Sequence, residues 1–278
     1  MHDAARVHFG IAGKAVEELR DLFIDAVRLQ LRADVPVGAY LSGGLDSSAV
    51  AAAIQRASSS SLKTFSVGFT DSEFDEREFQ AEVAKHLSTE HEMLLIGAHD
   101  IGGALLRALV HVESPMVRTA GVPLMLLADR VREQGFKVVL TGEGADEVFA
   151  GYDIFKEAKI RRFWARQPAS RWRGRLLQRL YGYVANSPTA RGALSGGFFS
   201  QGLSDGGDPY FAHRPRWSPT SRVLRLLAPE FRERIDAEHP IGRLADLVPR
   251  PNARWPCLGR DQYVEAHTLM SGYLLSSQ

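Results

Sequence analysis

At 278 residues, with 45% hydrophobic and 24% charged residues, the chain has the composition of an ordinary globular protein able to bury a sizeable core. Its net charge of +1 excludes neither an acidic nor a basic partner and gives no sign of a polyanion-binding composition overall. No apolar stretch reaches the roughly 18 residues of a membrane span, the opening Met1-His2-Asp3 lacks the basic-then-apolar order of an export signal, and the single cysteine, Cys257, can form no internal disulfide; a soluble cytoplasmic protein is expected, without membrane partners.

Between residues 16 and 31, apolar Val16, Leu19, Leu22, Phe23, Ala26, Val27 and Leu31 recur at steps of three and four among charged residues, which predicts an amphipathic helix. Residues 35–41 are a short apolar run leading into Ser42-Gly43-Gly44, the pattern of a buried strand entering a tight turn. An alanine-rich helix over 47–57 follows, and the serines at 58–61 end it. The alternation continues with a strand at 64–69, a helix at 75–87, a strand at 91–96, helices at 100–112 and 122–133, and a strand at 137–140. Short apolar strands alternating with helices imply an α/β fold, a doubly wound parallel sheet. Ligands of such sheets bind beyond the carboxyl ends of the strands, where Ser42, Gly68 and Thr141 fall.

The alternation stops past Tyr152. Residues 156–179 hold nine Lys and Arg against one acid, Glu157, and read as a basic helical segment with a solvated face and packed aromatics, not a nucleic-acid site. Residues 191–220, rich in Gly, Ser and Pro, predict mainly loops, and 261–275 predict a last helix. The expected organisation is a nucleotide-binding core over 1–155 and a helical, loop-rich extension over 156–278. His86 and His91 miss the spacing that would place two metal ligands on one helix face.

A turn that leaves a strand and opens a helix presents free backbone N–H groups at the positive end of the helix dipole, so it attracts an anion. Ser42 and Ser47 add hydroxyls. Asp46 would repel a bare phosphate and therefore argues for a magnesium-bound polyphosphate. The turn is not a kinase-type phosphate loop, whose lysine is absent, nor a nucleophile elbow, which would need glycine at Tyr40.

Ser42-Gly43-Gly44-Leu45-Asp46-Ser47 resembles the Ser-Gly-Gly-x-Asp-Ser signature of the ATP-pyrophosphatases, or PP-loop enzymes, which split ATP into AMP and pyrophosphate. Val35-Pro36-Val37-Gly38, Phe65-Ser66-Val67-Gly68-Phe69, Thr141-Gly142-Glu143-Gly144-Ala145-Asp146-Glu147 and Gly151-Tyr152 are similar, within that group, to the glutamine-dependent asparagine synthetase family. The resemblance implies that pyrophosphate lies in the loop and that the backbone at Leu41 and Val67 holds adenine. It places Gly142 before the ribose and α-phosphate, assigns magnesium to Asp46 and Asp146, and makes Glu143 the catalytic carboxylate. Arg118 is a candidate for the substrate carboxylate.

By the same resemblance the substrates are ATP, aspartate and ammonia. The aspartate carboxylate is adenylated with loss of pyrophosphate, and ammonia then displaces AMP. Amidation of another carboxylate, closure of a β-lactam, and a truncated domain that binds nucleotide without turnover are the alternatives. The family's N-terminal glutaminase cysteine, its Arg-x-Pro-Phe-Leu-Asp-like segment and a later lysine have no counterpart here, and no lysine follows Lys159. A fragment of a longer synthetase is expected, with ammonia from a glutaminase domain or a separate chain; a homodimer is compatible with the sequence.

Overall fold

The computed structural model describes residues 12–58, 60–113, 116, 119–180, 196–238, 244 and 254–274. The chain divides into two compact units, one reaching to Glu143 and one from Gly144 to Tyr273.

The first unit carries all four strands, β1 (Val37–Tyr40), β2 (Lys63–Phe69), β3 (Glu90–Ile96) and β4 (Val138–Leu140). Every pairing is parallel and the order is β3-β2-β1-β4. The helices are α1 (Ala12–Gln30), α2 (Leu45–Ala57), α3 (Arg77–His86), α4 (Ala98–Val112) and α5 (Gly121–Glu133). Alternation along the strands sorts the core. Ala39, Leu41 and Leu140 join Val27 of α1, Val50, Ala51 and Ile54 of α2 and Ala84 of α3. Tyr40, Phe65, Val67, Leu94 and Val139 pack with Leu127 and Val131 of α5. Both faces are therefore covered, and the doubly wound parallel sheet expected from the alternation is present.

Winding runs from β1 to β3 in one direction, and β4 then returns to the far side of β1. The carboxyl ends of β1 and β4 therefore flank the point where the strand order reverses, the usual ligand crevice of such a sheet. Toward the amino end of β1, Gly38 lets the sheet pack closely, since a Cβ would stand 3.0 Å from the Phe65 ring and 3.2 Å from the Lys63 carbonyl.

Two expectations for this unit change. Helix α2 begins at Leu45, with Gly44 as its N-cap, so Asp46 and Ser47 sit inside its first turn. Helix α1 buries only Val27 fully and Phe23 and Ile24 partly, with Leu31 just beyond it also half-buried; Val16, Leu19 and Leu22 are exposed, so the amphipathic face extends beyond what the described residues cover.

The second unit is helical: α6 (Ala145–Phe149), α7 (Asp153–Ala165), α8 (Leu176–Leu180), then Arg214–Thr220, Pro229–Glu238 and Cys257–Glu265, the last continuing as a π-helical stretch, Ala266–Leu274. Its core joins Ile154, Phe155 and Ala158 to Ala212. Buried charges are unusually important here. Arg161, fully buried, donates to the carbonyls of Phe199 (3.0 Å), Gln201 (2.6 Å) and Phe211 (2.6 Å), and stacks 4.3 Å over the Phe211 ring. Burial lowers its pKa to about 10 despite the nearby Glu157 charge, which leaves it cationic at neutral pH. Arg216 forks onto Glu157 at 3.0 and 2.8 Å, and Arg162 onto Asp261 at 2.6 Å twice.

The basic segment over 156–179 is not one solvated helix. Helix α7 ends at Ala165, the chain turns through Pro168, and helix resumes at Arg173 as a 3-10 turn. Arg161 is inside and Trp172 is 72% exposed, against the expected solvated face with packed aromatics, whereas Arg166, Arg171, Arg175 and Arg179 are exposed and Trp164 is half-buried. Part of the stretch expected to be loop, Arg214–Thr220, is helical, because Pro215 falls in the first turn, where no N–H is needed. Residues 191–195 and 275 of the predicted loop and last helix lie outside the described residues.

Candidate functional site

The turn after β1 is built by glycine and serine together. Gly43 has φ +81°, a conformation open to glycine, and a Cβ there would stand 2.9 Å from Phe79 Cβ and 2.9 Å from the Gln80 nitrogen, so the loop lies directly on α3. Ser42 donates its backbone N–H to Ser47 Oγ (3.1 Å), the two hydroxyls meet at 2.9 Å, and the Gly44 N–H reaches Ser42 Oγ (3.3 Å). Ser48 Oγ donates to the Gly44 carbonyl at 2.6 Å. These contacts hold the loop open around the first turn of α2, where unpaired N–H groups and the dipole favour an anion.

The segment after β4 closes against this turn. A Cβ on Gly142 would stand 2.8 Å from the Ser47 nitrogen and 3.0 Å from both Asp46 C and Asp46 Cβ, so backbone meets backbone with no space for a side chain. Thr141, Gly142 and Glu143 are thereby brought to the start of α2. Thr141 Oγ1 accepts from the Glu143 N–H at 3.4 Å, and Glu143 itself is exposed.

Leu41 and Val67 are joined through the sheet and α3. The Leu41 N–H donates to the Phe65 carbonyl (2.9 Å), Ser66 Oγ donates to the Leu41 carbonyl, and Gln80 Nε2 donates to the Val67 carbonyl (2.9 Å). Gly68 lies beneath Arg77 and Met93, whose side-chain atoms come within 2.8–2.9 Å of where a Cβ would be. Arg77 in turn forks onto Asp75 at 2.7 Å, which holds that carboxyl below its ordinary range.

Asp146 belongs to the second unit, where Gly151 packs on it so closely that a Cβ would fall 1.9 Å from Asp146 Oδ1. Arg118 lies outside the described residues. Two residues had no role assigned to them from the sequence. Glu147 is 1% exposed, and neither carboxylate oxygen has a hydrogen-bond partner among the described residues. Burying an unpartnered carboxylate costs several kcal/mol, on the order of 2–7 for a polar group and more for a charge, so its position beside Asp146 suits a cation or a donor group of a ligand. Gln80, also buried, ties α3 to Val67 while its Oε1 has no hydrogen-bond partner among the described residues. Its only sequence signal was its place one step before Val83 and Ala84 on the buried stripe of α3.

Among the described residues no group of three or more His, Cys, Asp or Glu is placed to hold a metal ion. Magnesium needs no such cage, since it is commonly held by one or two carboxylates together with phosphate oxygens. No described helix is long and apolar enough to cross a membrane.

The asparagine synthase family model matches residues 18–277. The chain belongs to the asparagine synthase family. Over 144 residues it is 39% identical to asparagine synthetase (glutamine-hydrolyzing) 1 of Bacillus subtilis (strain 168), covering 52% of this chain and 22% of that protein. A putative asparagine synthetase (glutamine-hydrolyzing) of Mycobacterium bovis is 31% identical over 259 residues, 93% of this chain and 37% of the relative. Amidase chyE of Penicillium rubens is 36% identical over 155 residues, 51% of this chain and 23% of the relative. This asparagine synthase family chain thus spans well under half the length of these curated relatives. Among solved structures, an NH3-dependent NAD synthetase from Campylobacter jejuni aligns over 84% of this chain and 97% of its own at 16% identity and a TM-score of 0.37, too low to support any inference.

Proposed function

We propose that this chain is the ATP-using part of an asparagine-synthetase-type ligase, which adenylates a carboxylate and passes it to ammonia. The observation that carries the reading is the seating of Gly142 on the Asp46-Ser47 backbone at the reversal point of the sheet. It sets Thr141–Glu143 beside an anion-attracting helix start, as adenylyl transfer requires.

In this reading pyrophosphate lies on Ser42, Gly43, Gly44 and Ser47, whose N–H and hydroxyl donors exchange the hydrogen bonds they make within the loop for bonds to the leaving group and stabilise it. The adenine lies against the backbone of Leu41 and Val67, near Gly68, and the α-phosphate near Thr141 and Gly142. Asp46 and, by the resemblance, Asp146 would hold magnesium, which screens the triphosphate charge when bound. An oxygen of the aspartate side chain attacks the α-phosphorus and the bond to pyrophosphate breaks. Ammonia then attacks the acyl carbon, AMP leaves with the bonding electrons, and Glu143 takes the surplus proton. The ammonia comes from glutamine, through a glutaminase domain of a longer protein or a separate chain.

The amidase name of one relative supports a second reading, in which the same core activates a different acid. Exchange of labelled pyrophosphate into ATP separates them. Aspartate should drive magnesium-dependent exchange in this chain, and Asp46→Ala should abolish it with little change in stability. Exchange driven better by another acid selects the second reading, and no exchange with any carboxylate overturns both.

A further inference from the structure

Between α7 and α8 the chain turns through Pro168 and folds back over its own tryptophan. A Cβ on Gly174 would meet ring carbons of Trp164 at 3.0–3.2 Å, and Trp164 Nε1 donates to the Pro168 carbonyl at 3.1 Å. The fold forms an open pocket of about 200 Å³, with Trp164, Leu177 and Phe199 at its floor and Arg171, Arg175 and Gln178 at its rim. Leu177 and Phe199 are buried, so the floor is fixed by the packing of the unit.

The rim belongs to a larger charged surface. Residues 166–179 carry Arg166, Arg171, Arg173, Arg175 and Arg179 and no acid. Among the described residues none of these arginines enters an ion pair, in contrast to Arg162 and Arg216, whose carboxylates are buried beneath. Two are fixed in place. Arg173 stacks 4.2 Å from the Phe163 ring and donates to the Phe163 carbonyl at 2.7 Å, and Arg175 stacks 4.5 Å from the Trp172 ring. A stacked guanidinium loses less freedom on binding, and while Arg173 spends one N–H on the Phe163 carbonyl, Arg175 keeps its donors for a carboxylate, which can be received two oxygens at a time.

An apolar hole with Arg171 and the stacked Arg175 at its rim suits an anionic chain that also carries a bulky apolar group. A nucleic acid fits less well. The exposed aromatic faces on which bases would stack, Phe163 and Trp172, are occupied by this chain's own arginines, and an apolar floor offers nothing to a phosphate backbone. We propose that this face docks an acidic polypeptide segment, with one Phe or Leu side chain entering the cavity and adjacent carboxylates bound by Arg171 and Arg175. The proposal does not rest on the ATP chemistry and concerns a separate surface of the second unit.

The test is fluorescence anisotropy with the whole chain and a short fluorescein-labelled peptide of Asp, Glu and Gly around a single Phe. Replacing that Phe by Ala should weaken binding about tenfold, the worth of one buried aromatic side chain. Replacing the carboxylates by amides, or raising NaCl from about 0.05 M to about 0.3 M, should weaken it similarly, because exposed charges are screened over that range. Arg171→Glu with Arg175→Glu should abolish binding, and as both side chains are on the surface the circular dichroism and Tm should be unchanged. Gln178→Trp, which fills the mouth and alters no charge, should bring the Phe peptide down to the affinity of the Ala peptide. Equal affinity of the Phe and Ala peptides, affinity of the double variant within about twofold of the parent, absence of peptide binding, or tighter binding of a labelled oligothymidine strand would each overturn the proposal.

Discussion

Gly142→Ala tests the contact on which the functional reading depends. The new methyl would stand 2.8 Å from the Ser47 nitrogen and 3.0 Å from two atoms of Asp46, where ordinary contact begins near 3.4 Å. The segments must part by up to 3.4 − 2.8 = 0.6 Å, and the obstructing atoms are backbone and Cβ of a helix start, which cannot rotate away. Overpacking of this kind costs about 1–3 kcal/mol, and at about 3 °C per kcal/mol for a chain of this size Tm should fall by about 3–9 °C. Misplacement by about 1 Å costs about a hundredfold in rate, so pyrophosphate exchange should drop about ten- to a hundredfold. Gly103→Ala in α4 is the matched control: nothing lies within 4 Å of its Cβ, so the change should stabilise by about 0.5–1 kcal/mol and leave exchange intact. Differential scanning fluorimetry and labelled-pyrophosphate exchange on both variants decide. If Gly142→Ala keeps its Tm within about 1 °C and its exchange within about twofold, the packing argument is wrong.

Glu143→Gln should retain carboxylate-dependent pyrophosphate exchange while ammonia-dependent amide formation falls about 10²–10⁴-fold, because a proton acceptor is lost only from the second step; equal loss in both assays would remove that role. Glu92 offers a pH test. Burial raises its carboxyl, but hydrogen bonds from Arg130 (2.6 Å) and an ion pair with Lys63 (3.3 Å) outweigh it, and the net shift is downward. A lowered carboxyl stabilises above the ordinary glutamate pKa of about 4.3 and loses that contribution as pH falls through its folded value. Glu92→Gln should therefore lower Tm at neutral pH and converge with the parent in acid; a constant difference across the titration would contradict the sign. Arg162→Met removes the fork from buried Asp261, and stranding that charge should cost about 3–5 kcal/mol in urea unfolding. Arg162→Lys should recover only part, since an ammonium cannot occupy both carboxylate oxygens in plane.

The sheet and its helices were legible because β1 to β4 are short apolar runs bounded by turn residues, and helices such as α5 repeat Leu127 and Val131 at a four-residue step. The crevice was legible for a related reason: glycines that must admit a positive φ or a close backbone, Gly43 and Gly142, are written into motifs. The buried chemistry was not legible. Arg161 looked like one more basic residue of a solvated face, since periodicity registers apolar side chains and has no term for a charge satisfied by carbonyls distant in sequence. Glu147 stood in the motif with Glu143 and Asp146 without a role of its own, and its burial without a hydrogen-bond partner among the described residues separates it from Asp153 at the start of α7, which pairs with Lys156. The segment over 156–179 was read as basic and helical from its composition, and Pro168 falls where α7 and the following helical turn are separated.

Arg161 also has a consequence for sequence tolerance. The carbonyls of Phe199, Gln201 and Phe211 accept from one guanidinium, in a segment with little regular structure to satisfy them otherwise. That segment needs neither helical periodicity nor strand alternation to stay folded, because a side chain some forty positions earlier supplies its hydrogen bonds. Residues 204–207, exposed between those anchors, are free to accept substitution or a short insertion. Position 161 is not, since no other side chain brings several forked donors to three buried acceptors at once. The freedom to vary in the loop and the lack of it in α7 are two sides of one interaction.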